Sequence, residues 1–475
     1  MHTPPPPPPA FLLLNLRGFL FLLARGPLAN APFVFNPMLL NGKNVVLPWF
    51  LHSWGIRLVA NEARPMAAGT KPRSQPPLSW AAIPLDLAGL VLRLLPSYAD
   101  RARFAAVCPQ WCAAVLQRFV PPPLPLLALP DGTFYSLNCL KPFRFPGCGF
   151  AGYKSASGSW LVFPRGDGCF LVDPFSMATV TLPALSCVRL RPPNAVAKWS
   201  DEEGTRFADP YVTWMHINEL DKLHITKLIL CSSNLVAALV GIGHTSQILM
   251  CQPGAVSWSV RAYDECKSFE DLAFYQGKLY ALANDENLLV VSIAKDQSTG
   301  DPQVSRIGQV IKGDPWYSAL YDEYNIMACK KLCLVESRGT LLMVRRQILC
   351  RFPELGVDGR RVGVIVAEDN EFEVFEADFE HSQWVNVTTV GDDQVLFLGR
   401  RCSRAVSVCQ YGLSGNHIFF LDDDEEKHVE YSYDEEDTSC GTYDMISGMV
   451  SSLKPVISWK RHDEMRLAAW LFPQD

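Results

Sequence analysis

The chain has 475 residues, enough for a large hydrophobic core and an accessory module, so we expect more than one domain. Its formal net charge is -6, and its lysines and arginines are scattered. The sequence therefore offers no basic stripe for a nucleic-acid backbone, and we expect no nucleic-acid partner. The 15 cysteines are an odd number spread singly through apolar segments, as is typical of buried thiols in a reducing compartment.

Residues 1–78 differ in kind from the rest of the chain. Six consecutive prolines precede an apolar run, Phe11–Leu23, which Arg17 interrupts and which is too short to span a bilayer. The run lacks the leading basic residues of a secretory signal. Transit peptides are rich in serine, whereas the first serine of this segment is Ser53. We predict that this segment is a disordered or mispredicted N-terminal extension and linker, and that Met66 is the true start of the protein. We expect no membrane association. The alternative is that the segment targets the protein to an organelle.

Residues 79–119 predict three short helices. Pro84 suits a first helical turn, where a missing N–H costs nothing. An apolar stripe then follows at i, i+3, i+4 and i+7: Leu87, Leu90, Val91 and Leu94. Ser97 and Asp100 have the spacing of a capping pair, which predicts a second helix that runs through Val107.

Pro109 predicts the start of the third helix, which carries Trp111, Ala114 and Val115 on one face. A unit of roughly 40 residues rarely folds without a metal, a disulfide or a partner surface. Its apolar side chains therefore either cap the following domain or bind another protein.

The order of residues in this unit resembles the F-box, the adaptor-binding motif of cullin-RING ubiquitin ligases, in its plant form. The resemblance rests on Ile83-Pro84, Asp86-Leu87, Leu94-Leu95, Asp100-Arg101, Phe104, Val107-Cys108 and Trp111. Departures include Gly89 in mid-helix and Pro109 and Cys112 where basic residues are common. The resemblance implies that a Skp-type adaptor, and through it a cullin, binds seven residues: Ile83, Pro84, Leu87, Leu90, Val107, Cys108 and Trp111.

A proline run at 121–125 breaks the helical pattern, and from Leu126 the chain reads as short strands joined by tight turns. Repeated hairpin units of roughly 40 to 50 residues over residues 126–475 predict a β-propeller of six or seven blades. A two-sheet sandwich is the alternative, but it is usually far smaller. We expect the strand at Leu126 to pair with the last one, Leu467–Pro473, and close the ring. The fold class is thus α+β and multidomain.

This half is similar to the KIB-type β-propeller, a plant domain of unknown function that commonly follows an F-box. The resemblance rests on short motifs in order: Gly158-Ser159-Trp160-Leu161, Asp173-Pro174-Phe175, Leu182-Pro183, Pro253-Gly254, Trp258, Gly277-Lys278-Leu279-Tyr280, Gly391-Asp392, Leu396-Phe397-Leu398-Gly399, Gly415-Asn416 and Ile418-Phe419-Phe420.

A glycine-rich segment and an acidic run resemble ligand sites but have simpler explanations. The segment Gly147–Gly152 matches the dinucleotide-binding fingerprint, and Asp173 follows at a suitable distance. However, the glycine segment is followed by a loop and a strand, where a dinucleotide site requires the N-terminus of a helix. We therefore interpret Asp173 as a turn residue. The acidic run between Asp422 and Asp437 predicts a solvated loop. No catalytic motif and no zinc-binding pair is visible, so we expect no catalysis, no metal and no cofactor.

Together, the resemblances imply a non-catalytic, substrate-recognition subunit of a Skp–cullin–F-box ubiquitin ligase, active in the cytoplasm or nucleus, with an unknown substrate protein on the propeller. The alternative is a stand-alone propeller that binds proteins and carries a degenerate F-box, in an organelle. An enzyme on the propeller is a third hypothesis, supported only by precedent.

Overall fold

A computed structural model describes most of the chain between Pro84 and Pro473. The described ranges are 84–95, 97–115, 123–137, 142–145, 149–166, 168–191, 224–242, 245–261, 268–297, 299–313, 326–351, 365–399, 401–411, 413–421, 431–432, 440–452 and 468–473. The predicted N-terminal extension and Ile83 lie outside these ranges. Internal contacts divide the chain into a first unit, residues 1–124 with 136–150 and 475, and a second unit, residues 125–135 with 151–474. Within the described ranges, no helix is long and apolar enough to cross a membrane.

Three helices form in the segment where three were predicted: α1 (Leu85–Arg93), α2 (Tyr98–Ala106) and α3 (Pro109–Val115). The first helical hydrogen bond runs from the N–H of Ala88 to the carbonyl of Pro84 at 3.0 Å. The predicted cap of α2 is confirmed, since the Ser97 hydroxyl accepts a hydrogen bond from the N–H of Asp100 at 3.4 Å. The predicted end of α2 at Val107 is one residue too late, because Val107 is the C-cap.

The second part of the chain is a six-bladed β-propeller, so the prediction of a propeller is confirmed and the blade number is settled at six. Blade I, in sheet order, contains β27 (Ala469–Leu471), β1 (Leu126–Ala128), β2 (Phe134–Ser136) and β3 (Pro142–Phe143). Blade II contains β4 (Ser155–Ser157), β5 (Trp160–Arg165), β6 (Gly168–Val172) and β7 (Thr179–Thr181). Blade III contains β9 (His224–Ser232), β10 (Leu235–Ile242), β11 (Thr245–Cys251), β12 (Trp258–Arg261) and β8 (Val188–Arg191).

The remaining three blades follow the same plan. Blade IV contains β13 (Phe269–Tyr275), β14 (Lys278–Ala283), β15 (Leu288–Lys295) and β16 (Pro302–Ile311). Blade V contains β17 (Ile326–Ser337), β18 (Thr340–Arg351), β19 (Ile365–Asp378) and β20 (Gln383–Val387), with β24 (Tyr431–Ser432) parallel to β19. Blade VI contains β22 (Arg404–Ser407), β21 (Gln394–Leu398), β23 (His417–Leu421), β25 (Cys440–Asp444) and β26 (Val450–Ser452).

The ring closes between the two ends of the propeller, as predicted. Strand β1 pairs antiparallel with β27, and Leu126 lies opposite Leu471. The prediction of a solvated loop in the acidic run is wrong at Tyr431 and Ser432. These two uncharged residues form β24, which pairs with β19. The rest of that run lies outside the described ranges.

Adjacent blades pack through apolar faces and are joined by tryptophan hydrogen bonds. Buried clusters fill the spaces between blades II and III, III and IV, IV and V, and V and VI. Three indole N–H groups each donate to a carbonyl of the preceding blade: Trp258 to Pro183, Trp384 to Glu286 and Trp470 to Leu398, at 2.9, 2.9 and 3.0 Å. Each bond satisfies the polar atom of a large apolar side chain at a blade interface.

A recurrent aspartate begins the last hairpin turn of four blades. These residues are Asp173, Asp296, Asp378 and Asp444, and each carboxylate accepts backbone N–H groups two or three residues further on. Four residues after each aspartate, the backbone has a positive φ, at Met177, Gly300, Ser382 and Gly448. The aspartate therefore stabilises a sharp turn that leads the chain to the outermost strand.

Asp173→Ala is expected to lower the free energy of unfolding by about 1–3 kcal/mol, because Asp173 is fully buried and its loss leaves buried donors without an acceptor. The carboxylate accepts the N–H of Phe175 and the hydroxyl of Ser176, both at 2.8 Å. Denaturant unfolding of the full chain measures the change. Asp444→Ala, in a solvated copy of the same turn, is the control and should cost less; an equal loss in both variants would contradict the role of burial.

Candidate functional site

The three-helix unit buries one side of α1 and exposes the other. Its core consists of Ala88, Leu92, Phe104 and Ala114. The predicted apolar stripe lies on the opposite side, where Leu87, Leu90 and Leu94 are 49%, 54% and 72% exposed. Val91 and Leu85 are also exposed. A leucine stripe that the helix turns toward solvent is the arrangement expected of a binding surface.

Gly89 lies on the buried side of α1, next to Ala88. Glycine costs up to about 1 kcal/mol relative to alanine within a helix. Both residues are small, and α1 packs against α3. The departure from the usual F-box sequence at Gly89 therefore changes the packed side of α1 and leaves the exposed stripe intact.

The other predicted adaptor-binding residues differ in exposure. Pro84 and Val107 are exposed, and Cys108 is half-buried. Trp111 is half-buried, and its ring stacks on Phe104 with centroids 4.4 Å apart. Trp111 thus supports the helical core through one part of its surface, and only the remainder is available to a partner.

Arg101 has a structural role that the sequence did not reveal. It is buried, and its Nε donates to the carbonyl of Leu95 at 2.7 Å, just past the end of α1. A cation at the C-terminal end of a helix satisfies a free carbonyl and complements the helix dipole. Arg101 therefore fixes the connection between α1 and α2, and with it the direction in which the stripe of α1 faces.

The interior of the propeller contains a buried ion pair between blades III and IV. The Lys227 ammonium lies 2.7 Å from the Asp271 carboxylate, which also accepts the N–H of Leu334 at 2.8 Å. Burial alone would lower the pKa of Lys227, but the charge of Asp271 outweighs it and raises the pKa. Both side chains are closed to solvent, at 5% and 1% exposure, and the carboxylate also holds the backbone of blade V at Leu334, so the pair ties neighbouring blades together.

A second buried ionic cluster joins blades IV and V. Arg345 donates two hydrogen bonds to Glu286, from Nε at 2.9 Å and from Nη2 at 2.5 Å, and a third to Glu373 at 2.8 Å. Lys330 donates to the same Glu286 carboxylate at 3.0 Å. Burial lowers the pKa of Arg345, but its hydrogen bonds to the two glutamates outweigh this and raise it. The two carboxylates and the two cations of this cluster neutralise one another, so none of these four groups offers an unpaired charge to a ligand.

The geometry agrees with the rejection of a nucleotide site at Gly147–Gly152. The next described element is the strand β4, and no helix begins there. Asp173 is buried in its turn, as interpreted from the sequence. In the described part of the chain, no group of three metal-ligating side chains comes together.

Comparison with known proteins gives the family. The model of the KIB1-4 beta-propeller family matches residues 126–444. The chain belongs to the KIB1-4 beta-propeller family. This match covers all or part of each of the six blades, and the expected KIB-type propeller is confirmed.

Relatives of this KIB1-4 propeller chain are named as F-box proteins. F-box protein At2g26160 of Arabidopsis thaliana is 23% identical over 355 residues, covering 72% of this chain and 95% of the relative. Putative F-box protein At3g25750 of the same plant is 25% identical over 179 residues, covering 37% of this chain and 42% of the relative. These names confirm the predicted resemblance to plant F-box proteins with a KIB-type propeller.

Solved structures add nothing further for this KIB1-4 family member. A chain from a study of two prolyl endopeptidases covers 76% of this chain and 57% of its own length, with 8% identity and a TM-score of 0.22.

Proposed function

We propose that this chain is the substrate-recognition subunit of a Skp–cullin–F-box ubiquitin ligase. The observation that carries the proposal is the exposed stripe of Leu87, Leu90 and Leu94 on a helix whose other side is already packed. Each large apolar side chain that a partner covers contributes roughly 1.5–3 kcal/mol. The F-box names of the relatives point to a Skp-type adaptor as that partner.

In this proposal the chain makes no covalent bond with ubiquitin. The helical unit, residues 79–119, binds the adaptor, and the propeller, residues 126–475, binds a substrate protein. Tethering the substrate next to the charged conjugating enzyme raises its effective concentration, as any bivalent link does. The proposed site of action is the cytoplasm or nucleus, where such ligases meet soluble substrates.

Leu87→Asp with Leu90→Asp is expected to weaken adaptor binding at least tenfold, or by about 1.4 kcal/mol or more. Both side chains are about half exposed, so their replacement leaves the helical core unchanged. Calorimetric titration of the full chain with a purified Skp-type adaptor measures the effect. Leu413→Asp is a matched control, because Leu413 is an exposed leucine of the propeller.

Wild-type binding that the double variant loses and the control keeps would support the proposal. Equal affinities for wild type and the double variant would contradict it, and the protein would then be a propeller with a degenerate F-box. Trp111→Ala is a poor test because Trp111 stacks on Phe104, and its loss would also loosen the helices.

A further inference from the structure

A segment that follows the three helices in the sequence packs with them in the structure. Residues 136–150 belong, by their internal contacts, to the same unit as residues 1–124. The three phenylalanines of this segment form a cluster, in which the Phe145 ring lies 5.7 Å from Phe143 and 5.7 Å from Phe150, measured between centroids. Phe145 and Phe150 are only 5% and 3% exposed, so the cluster is a small apolar core of its own.

The aromatic cluster contacts the start of α2 through Tyr98. The rings of Tyr98 and Phe145 lie 6.0 Å apart, with an angle of 43° between their planes. Tilted aromatic pairs at this distance stabilise a structure beyond the area that they bury. Tyr98 is the first residue of α2 and directly follows the capping Ser97, which is fully buried. The cluster therefore anchors the first turn of α2.

The first turn of α2 is also where the direction of α1 is fixed. Ser97 accepts the N–H of Asp100, and the buried Arg101 donates to the carbonyl of Leu95, just past the end of α1. In the sequence, Tyr98 lies between Ser97 and Arg101. A shift of Tyr98 would therefore disturb both contacts and change the direction in which the exposed leucine stripe of α1 faces.

We propose that Phe145, acting through Tyr98, is a positioning residue of the adaptor-binding surface, which thus depends on a segment outside residues 79–119. A unit of roughly 40 residues rarely buries enough surface to hold itself together, and the aromatic cluster adds apolar contacts to the three helices. The inference rests on the proposed function in one respect, because the adaptor is the partner that the surface would bind. The order of α1 and α2 can be measured without an adaptor.

Amide hydrogen exchange of the full chain, followed by mass spectrometry, tests the positioning role directly. Phe145→Ala removes a large buried ring, so we expect the amides of α1 and α2 to exchange about tenfold faster or more. The amides of blade V should not change. Phe163→Ala is a matched control, because it removes one ring of the stacked Phe163–Phe170 pair in blade II, and it should leave α1 and α2 unchanged.

Titration with a purified Skp-type adaptor connects this order to binding. A surface that is correctly arranged for only part of the time binds more weakly in proportion, so Phe145→Ala and Tyr98→Ala are each expected to weaken binding by about three- to tenfold. The double variant should lose less than the product of the two single effects, because both substitutions remove the same contact. Tyr98→Phe keeps the ring and should bind like wild type.

Three results would overturn the proposal. Unchanged exchange of α1 and α2 in Phe145→Ala would mean that the segment supports only the sheet that contains β3. An equal increase of exchange throughout the chain would mean a general loss of stability, and fully multiplicative effects in the double variant would mean that Phe145 does not act through Tyr98.

Failure of this inference and failure of the proposed function are distinguishable. If wild type did not bind the adaptor, the proposed function would fail, while the exchange of α1 and α2 would still report whether Phe145 positions them. If wild type and Phe145→Ala bound the adaptor equally well, the proposed function would stand and this inference would fail.

Discussion

Glu286→Gln is expected to lower the free energy of unfolding by about 3–5 kcal/mol, the usual cost of removing one partner from a buried ion pair. Glu286 is almost fully buried, and its carboxylate accepts from both Arg345 and Lys330. Glutamine has the same shape but no charge, and its amide group would place a donor against donors. The buried Arg345 and the half-buried Lys330 would then have only Glu373, which is partly exposed, as an acid partner.

Urea unfolding of the full chain, followed by tryptophan fluorescence, measures this loss. Glu371→Gln makes the same chemical change at an exposed position of blade V and should change the free energy of unfolding by less than about 0.5 kcal/mol. If Glu286→Gln changed the free energy of unfolding as little as Glu371→Gln, the ionic cluster would not contribute to the stability of the interface between blades IV and V.

Trp470→Ala is expected to cost about 3–5 kcal/mol, because Trp470 is fully buried where the ring closes. Its ring makes an edge contact with Phe397 at 5.1 Å between centroids, and its N–H donates to Leu398. Its strand, β27, also pairs with β1. The substitution therefore weakens the contact of blade I with blade VI and the pairing that closes the propeller.

Trp470→Phe provides a graded comparison for the same unfolding measurement. Phenylalanine keeps most of the apolar contact and loses the hydrogen bond, so we expect a smaller loss than for alanine. A Trp470→Ala variant as stable as wild type would contradict the importance of this closure.

The elements that the sequence predicted correctly depend on local signals. Proline and a capping serine mark helix starts within a few residues, and the spacing of Leu87, Leu90 and Leu94 defines one side of a helix. The closing pair of strands followed from the need of a propeller to have no open edge. These features are visible because each is encoded by neighbouring residues or by a general property of the fold.

The features that the sequence did not predict depend on distant residues. Glu286 and Arg345 are 59 positions apart, and nothing in either segment indicates the other. The stacking of Trp111 on Phe104 likewise required the angle between α2 and α3. One signal in the sequence was missed: an aspartate recurs in the last turn of four blades, at Asp173, Asp296, Asp378 and Asp444, and it marks the hairpin before the outermost strand.

The most direct test of the proposed ligase role is assembly of the full chain with a purified Skp-type adaptor and a cullin, followed by light scattering during size-exclusion chromatography. The proposal predicts one peak that contains all three proteins, and its loss with Leu87→Asp, Leu90→Asp but not with Leu413→Asp. Elution of the wild-type chain alone, while another F-box protein assembles under the same conditions, would contradict it.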